Sequence, residues 1–245
     1  MSVSKTVLAD SLILWDVDHT LIENGGVSKE TYALAYELIV GQQPNVRPVT
    51  HGRTDFQIMR ALLEANGQSA AAFPTISEFT GPLLDAMAIK SPELPGRGYV
   101  LTGVVAALTA LSIEPNIIQS VLTGNISQNA YAKVTPFGLD EWLDLDVGGY
   151  GSDNEVRSEL VDAARRKVEA KYGRRFTPES TVLIGDTPLD VKAAHDGGAK
   201  VIAVATGVHD LAELVDAGAD EALLNLEDHQ GFMAALARVR AMPAR

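Results

Sequence analysis

The sequence predicts an α/β protein: a doubly wound, mostly parallel sheet with helices on both faces, interrupted early by an α-helical insertion. Three observations predict it. From Gly98 onward, short apolar runs of strand length alternate with helix-length amphipathic segments. The first apolar run, residues 12–15, stands apart from them, and residues 23–92 between read as helix alone. The polar clusters fall at the ends of apolar runs or just beyond them, where open parallel sheets gather their ligands.

The first run, Leu12-Ile13-Leu14-Trp15, stops on Asp16. In the insertion, helical spacing covers residues 29–40, 54–66 and 76–88, with no convincing strand. Pro92, Pro95, Gly96 and Gly98 then read as a linker back to the sheet. Residues 100–111 have helical spacing, and residues 117–122 form a β-rich run ending at Thr123-Gly124-Asn125. A helix is expected over 127–137, closed by Gly138, and a short strand over 143–147 leading into Gly148-Gly149-Tyr150-Gly151. Residues 155–172 read as a long amphipathic helix stopped by Gly173. A buried-type strand over 181–184 ends at Gly185-Asp186, and a helix over 188–196 ends at Gly197-Gly198. Strand, helix, strand and helix are expected over 200–205, 211–217, 222–224 and 232–239. Such alternation implies right-handed βαβ units. The expected division is a core of residues 1–22 and 93–245 with a helical cap of 23–92.

With 245 residues, 46% of them hydrophobic, the chain can bury a large core without disulfides. It has no Cys, which excludes a disulfide scaffold, a thiolate zinc site and a Cys nucleophile. A formal net charge of −12 argues against binding nucleic acid, which calls for a basic stripe. The start, Met1 to Ser11, is polar, and no run approaches the roughly 18 apolar residues of a membrane span. A soluble, cytoplasmic protein without a membrane partner is expected.

Asp16-Val17-Asp18-His19-Thr20 is the most informative segment. In a continuing strand Asp16 and Asp18 would emerge on one side, and two adjacent anions call for a cation, a proton or a catalytic task. Capping of the next helix is the structural alternative. Thr123-Gly124-Asn125 offers a hydroxyl and free backbone N–H groups suited to phosphate oxygens, or simply a turn with a helix cap. Lys133 and Arg157 follow as candidate cations, though exposed basic residues are common. In Gly185-Asp186-Thr187-Pro188-Leu189-Asp190, a capping box explains Thr187, Pro188 and Asp190 but leaves Asp186 without a purpose. A divalent cation shared with Asp16 would supply one.

Together these pieces resemble the haloacid dehalogenase superfamily in its phosphatase branch, close to the phosphoglycolate-phosphatase-like members with a helical cap. The resemblance covers nearly the whole chain and implies a Rossmann-like core. It implies a Mg²⁺-dependent phosphomonoesterase acting on a small phosphorylated metabolite. Asp16 would be the nucleophile that forms an aspartyl-phosphate, and Asp18 the general acid and then base. Thr123 and Lys133 would hold the transferring phosphoryl group, with Lys133 screening Asp16. The metal would fall to Asp16, the Asp18 carbonyl and Asp186, with Asp190 behind them or acting through water. Thr20, Gly124, Asn125, Arg53 and Arg157 are the expected substrate contacts, Arg53 reaching a distal anionic group from Gly52-Arg53-Thr54-Asp55.

Two departures from the family pattern stand out. His19 replaces a common Gly, and no Lys-Pro pair precedes the helix expected over 155–172, where the chain reads Gly151-Ser152-Asp153-Asn154-Glu155-Val156-Arg157. The basic role is therefore assigned to Lys133, with Arg157 as its substitute. A phosphomutase of the same fold, a phosphoacceptor signalling domain and a silent binding module are the rivals. The core motifs do not separate mutase from hydrolase, and neither the substrate nor the oligomeric state is legible.

Overall fold

The computed structural model describes residues 10–243, so the polar start lies outside the described residues apart from Asp10 and Ser11. In chain order the elements begin with β1 (Ser11–Trp15), β2 (Ile22–Glu23), α1 (Val27–Val40), α2 (Asp55–Ala65), α3 (Ser77–Lys90), α4 (Leu94–Arg97) and β3 (Tyr99–Val100). There follow α5 (Val104–Ser112), β4 (Ile117–Thr123), α6 (Ser127–Val134), β5 (Gly149–Tyr150) and α7 (Glu159–Tyr172). The chain ends with β6 (Thr181–Gly185), α8 (Pro188–Asp196), β7 (Lys200–Val204), α9 (Leu211–Asp216), β8 (Glu221–Leu223) and α10 (His229–Ala241).

Six strands form one sheet in the order β5-β4-β1-β6-β7-β8, and every pairing in it is parallel. The fully buried β1 lies at its centre, with Trp15 opposite Val121 of β4 and Ile184 of β6. Its side chains alternate between two cores. Ile13 and Trp15 pack with residues of α5, α6 and α10, while Leu12 and Leu14 pack with residues of α7, α8 and α9. The central strand is thus apolar on both faces, and its first polar side chains appear only where it leaves the sheet. A third core, which includes Tyr36, Met59, Phe79 and Leu83, joins α1, α2 and α3. It takes in Ile126 from the segment just before α6, which seats the helical insertion on the sheet domain.

Four local expectations are corrected. Residues 145–147 form a 3₁₀ turn, and the edge strand is Gly149–Tyr150 instead. There Tyr150 is the buried residue, and a Cβ on Gly149 would lie 2.3 Å from the Leu160 carbonyl oxygen, so only Gly lets α7 pack so closely. The long helix begins at Glu159 rather than residue 155, because residues 155–158 remain irregular and bring Arg157 inward. Pro92 and Pro95 do not mark a loose linker: each sits in the first turn of a short helix, where its missing N–H costs nothing. Finally, the insertion is bracketed by β2 and β3, a two-residue antiparallel ribbon pairing Ile22 with Val100 and Glu23 with Tyr99. Runs of two residues carry no periodicity to read.

Candidate functional site

The strand does not continue through Asp18. Backbone bonds from Leu21 and Ile22 to the Val17 carbonyl close a turn, and His19 adopts φ 61°, uncommon for a residue with a side chain. The Thr206 hydroxyl holds the His19 carbonyl at 2.5 Å. The two carboxylates therefore meet different partners, contrary to the single shared side expected of an extended strand. Asp16, only 5% exposed, lies 3.0 Å from Arg157. Asp18 accepts from Asn24 and Ser28 on one oxygen, and from Asn125 and Lys133 on the other, the Lys133 contact being 2.6 Å.

Arg157 joins two arms of the site. Its guanidinium donates twice to Asp190 Oδ1, at 3.0 and 2.6 Å, while reaching Asp16. The other Asp190 oxygen accepts from the Thr187 amide and hydroxyl in the capping box that opens α8. Lys133, buried on α6, sits between Asp18 and Asn125 Oδ1. Each cation thus has its own carboxylate. Thr123 accepts from the Asn125 amide group at 2.6 Å, and Thr20 donates to Asp186 at 3.2 Å.

Oxygens of Asp16, Asp186 and Asp190 lie within 4.8 Å of one another. Asp186 Oδ2 is buried without a hydrogen-bond partner, and a Cβ on Gly207 would sit 1.9 Å from it. An orphaned carboxylate oxygen beside a second buried carboxylate fits a hard divalent cation. Asp190 fits less well as a direct ligand, since both its oxygens are engaged. Burial raises Asp16 to about 7, with Asp190 and Asp18 adding to the rise and Arg157 opposing it. Asp186 is pushed well up by burial and by the neighbouring Asp190 and Asp16. Burial also acts upward on Asp18, but the charge and hydrogen bond of Lys133 outweigh it and hold that carboxyl well below the usual range.

The insertion closes over these groups. Thr50, His51, Gly52 and Arg53 from the α1–α2 connection line the same cavity as Asp16, Asp18, Thr123, Asn125 and Asp186. Gly52 packs so tightly on α8 that a Cβ would come 2.6 Å from the Thr187 hydroxyl. The cavity is about 30 Å³, room for one or two waters and not for a phosphomonoester. Thr20 and Lys133 are not among its lining residues.

Sequence reasoning missed several polar residues here. Asn24, Ser28 and Tyr32 line the cavity, and Ser28 and Tyr32 lie four apart on α1, a polar pair at helical spacing that marks one face. His51 Nδ1 is buried without a partner, and its ring centroid lies 5.8 Å from that of His19. Burial, with Lys29, His19 and His209 nearby, lowers the His51 pKa.

Asp55, the first residue of α2, is fully buried where the insertion meets the sheet domain. Burial lifts it to about 6 against its hydrogen bonds from Tyr32 and the Ile126 amide. With a folded value above the unfolded 3.8, its favourable contribution is complete below about pH 4 and is lost as pH rises through 6. Asn does not titrate. Denaturant unfolding should therefore show Asp55→Asn gaining on the wild type from pH 4 to pH 7, by on the order of 3 kcal/mol. A pH-independent difference would contradict the assignment.

The described residues form an α/β core with an acidic cluster at the end of its central strands, beneath a helical insertion. Residues 157–228 match the family model described as HAD-hydrolase-like. A HAD hydrolase of family IA, variant 3, from Entamoeba histolytica is similar in structure, with TM-score 0.68 and 15% identity, covering 95% of this chain and 100% of that one. A predicted phosphatase from Clostridium acetobutylicum gives TM-score 0.63 at 15% identity, covering 92% and 99%. A Bacteroides vulgatus structure carrying a β-phosphoglucomutase assignment gives 0.63 at 18%, covering 97% and 93%. No curated protein matches the chain in sequence. Residues 157–228 thus carry a HAD-hydrolase-like signature, and the chain shares the fold of these structures, with a helical insertion over the sheet. Among the described residues, no helix is long and apolar enough to cross a membrane.

Proposed function

We propose that the chain is a phosphomonoesterase requiring a divalent cation, Mg²⁺ by the chemistry of its donors, and acting on a small phosphorylated metabolite in the cytoplasm. One observation carries this reading: a buried carboxylate, Asp16, stands at the end of the central strand beside a guanidinium and an unpartnered Asp186 oxygen, under a closed cap. The Asp16 carboxylate, the Asp18 carbonyl and Asp186 would hold the cation, with Asp190 placing Arg157 behind them. Bound there, a cation supplies positive charge that offsets the repulsion between Asp16 and a phosphate dianion.

Asp16 attacks the phosphorus, forming an aspartyl-phosphate as the ester oxygen leaves. Arg157 keeps Asp16 ionised and aimed, which transfers to Arg157 the screening role that the sequence assigned to Lys133. Lys133 instead fixes Asp18. To take a proton from the water hydrolysing the aspartyl-phosphate, that water must displace one of the four donors around the Asp18 carboxylate, which lower its basicity. Giving a proton to the leaving alcohol requires Asp18 first to take one up from solvent, against the pull of Lys133, and the alcohol oxygen to displace one of those donors. Thr123, Gly124 and Asn125 face the phosphoryl oxygens, with Thr20 steadying Asp186. Arg53 supports a distal anionic group, since it lines the cavity.

Phosphate release from para-nitrophenyl phosphate, with and without Mg²⁺, tests the reading, backed by a panel of phosphorylated metabolites in case the cap rejects the generic ester. Metal-dependent release supports it; no release from either sinks it. A phosphomutase of the same fold is the second reading, favoured by how little water the closed cavity admits. Conversion of a sugar phosphate to its isomer without net phosphate release would replace the first reading by the second.

A further inference from the structure

Asp55 makes a pincer around one residue of the site. Its backbone N–H donates to the Gly124 carbonyl at 2.8 Å, and its Oδ2 accepts from the Ile126 amide at 2.8 Å. The residue between these two is Asn125. Asp55 thus grips the peptide groups on both sides of Asn125 from across the domain boundary, and Tyr32 of the cap satisfies the remaining oxygen, Oδ1, at 2.7 Å.

The gripped segment has little freedom on its other flank. A Cβ on Gly151 would lie 2.0 Å from the Gly124 carbonyl oxygen, and one on Gly124 itself 2.1 Å from the carbonyl oxygen of Arg53. The loop is a thin layer of backbone between the Gly151 turn of the core and the Arg53–Asp55 turn of the cap. From this layer Asn125 donates to Asp18 at 3.1 Å and to Thr123 at 2.6 Å, and accepts from Lys133 at 2.6 Å. Its placement decides how Asp18, Thr123 and Lys133 stand relative to one another.

A phosphomonoester does not fit the cavity as it stands, so binding one calls for the insertion to shift. Both bonds of the pincer run between the insertion and the sheet domain.

We infer that Asp55 is a positioning residue: from the cap turn, its two bonds to the peptide groups flanking Asn125 set that side chain against Asp18. This rests on the phosphatase reading above and adds to it a residue of the insertion that acts on the acid–base carboxylate through Asn125. The cap then does more than exclude water. It adds a constraint to a loop that the core also holds, through the Gly151 amide bonded to the Asn125 carbonyl at 2.8 Å.

A double-mutant cycle on turnover of para-nitrophenyl phosphate tests the inference, using the full chain with Mg²⁺. Asp55→Ala is expected to lower kcat by about 10- to 100-fold, with the Mg²⁺ concentration for half-maximal rate unchanged. In an Asn125→Ala background the same substitution should cost less than about threefold, because Asp55 acts through Asn125. Asp55→Asn should recover kcat to within about threefold of wild type, since its amide oxygen can accept from Ile126 and its NH₂ can donate to the Tyr32 hydroxyl. Asp55→Ser serves the cycle if the alanine variant does not fold. Equal losses in the two backgrounds, or an unchanged kcat for Asp55→Ala, would overturn the inference while leaving the phosphatase reading intact. A wild type without metal-dependent turnover on the ester or the metabolite panel would remove both.

Discussion

Asp16→Asn is expected to lower phosphomonoester turnover roughly a thousandfold or more while leaving the protein at least as stable as the wild type. The carboxamide has nearly the shape of the carboxylate but cannot act as the nucleophile. Stability follows from the environment. Asp16 is buried and its value is raised to about 7, so above that pH its charge opposes folding relative to a neutral group. Arg157 keeps two hydrogen bonds to Asp190 when Asp16 is neutralised. Activity and stability should therefore separate cleanly, with initial rates near zero and a melting temperature that is unchanged or higher at pH 8. Mass spectrometry must show that the Asn has not deamidated to Asp. Full activity in a verified Asn variant would remove Asp16 from the chemistry.

Arg157→Met should have the largest effect on stability. It removes the guanidinium reaching both Asp16 and Asp190 and leaves buried carboxylates without their cation. Breaking a buried ionic group in this way costs about 3–5 kcal/mol. It should also push the Asp16 pKa further up, since Arg157 is what lowers it. Residual turnover should accordingly shift towards alkaline pH. Arg157→Lys keeps the charge but loses the two-pronged hold on Asp190, so an intermediate result is expected. Urea unfolding and pH–rate profiles read both effects. A stable Arg157→Met enzyme with unaltered turnover, alongside an inactive Lys133→Met, would return the screening role to Lys133.

The sequence and the structure agree most closely where periodicity is strong. The apolar run ending at Trp15, the β4 run ending at Thr123 and the capping box at Thr187 each announced an element and its end. The sites at those ends were legible for the same reason, since a carboxylate after a buried strand has few structural duties. What could not be read was partnership across the chain. Lys133 and Arg157 are both basic and both near strand ends, and only the irregular backbone of residues 155–158 directs Arg157 towards Asp16. Asp55 looked like an ordinary helix start because its partners, Tyr32 and Ile126, lie 23 and 71 residues away. The β2–β3 ribbon escaped notice because two residues have no pattern.

That ribbon governs how the cap can travel. The chain enters and leaves the helical insertion through adjacent, hydrogen-bonded residues, Ile22 and Glu23 against Val100 and Tyr99. Arg97 adds a bond to the Gly25 carbonyl on the cap side of the pair. Two tethers fastened side by side behave as a single pivot, resisting translation and twist while leaving one swing free. The cap turn carrying Arg53 and Asp55 lies in the chain between these two tethers. The pivot is itself tied to the site, since the His19 amide donates to the Ile22 carbonyl at 2.7 Å and Asn24, next in the chain after Glu23, donates to Asp18 at 2.8 Å.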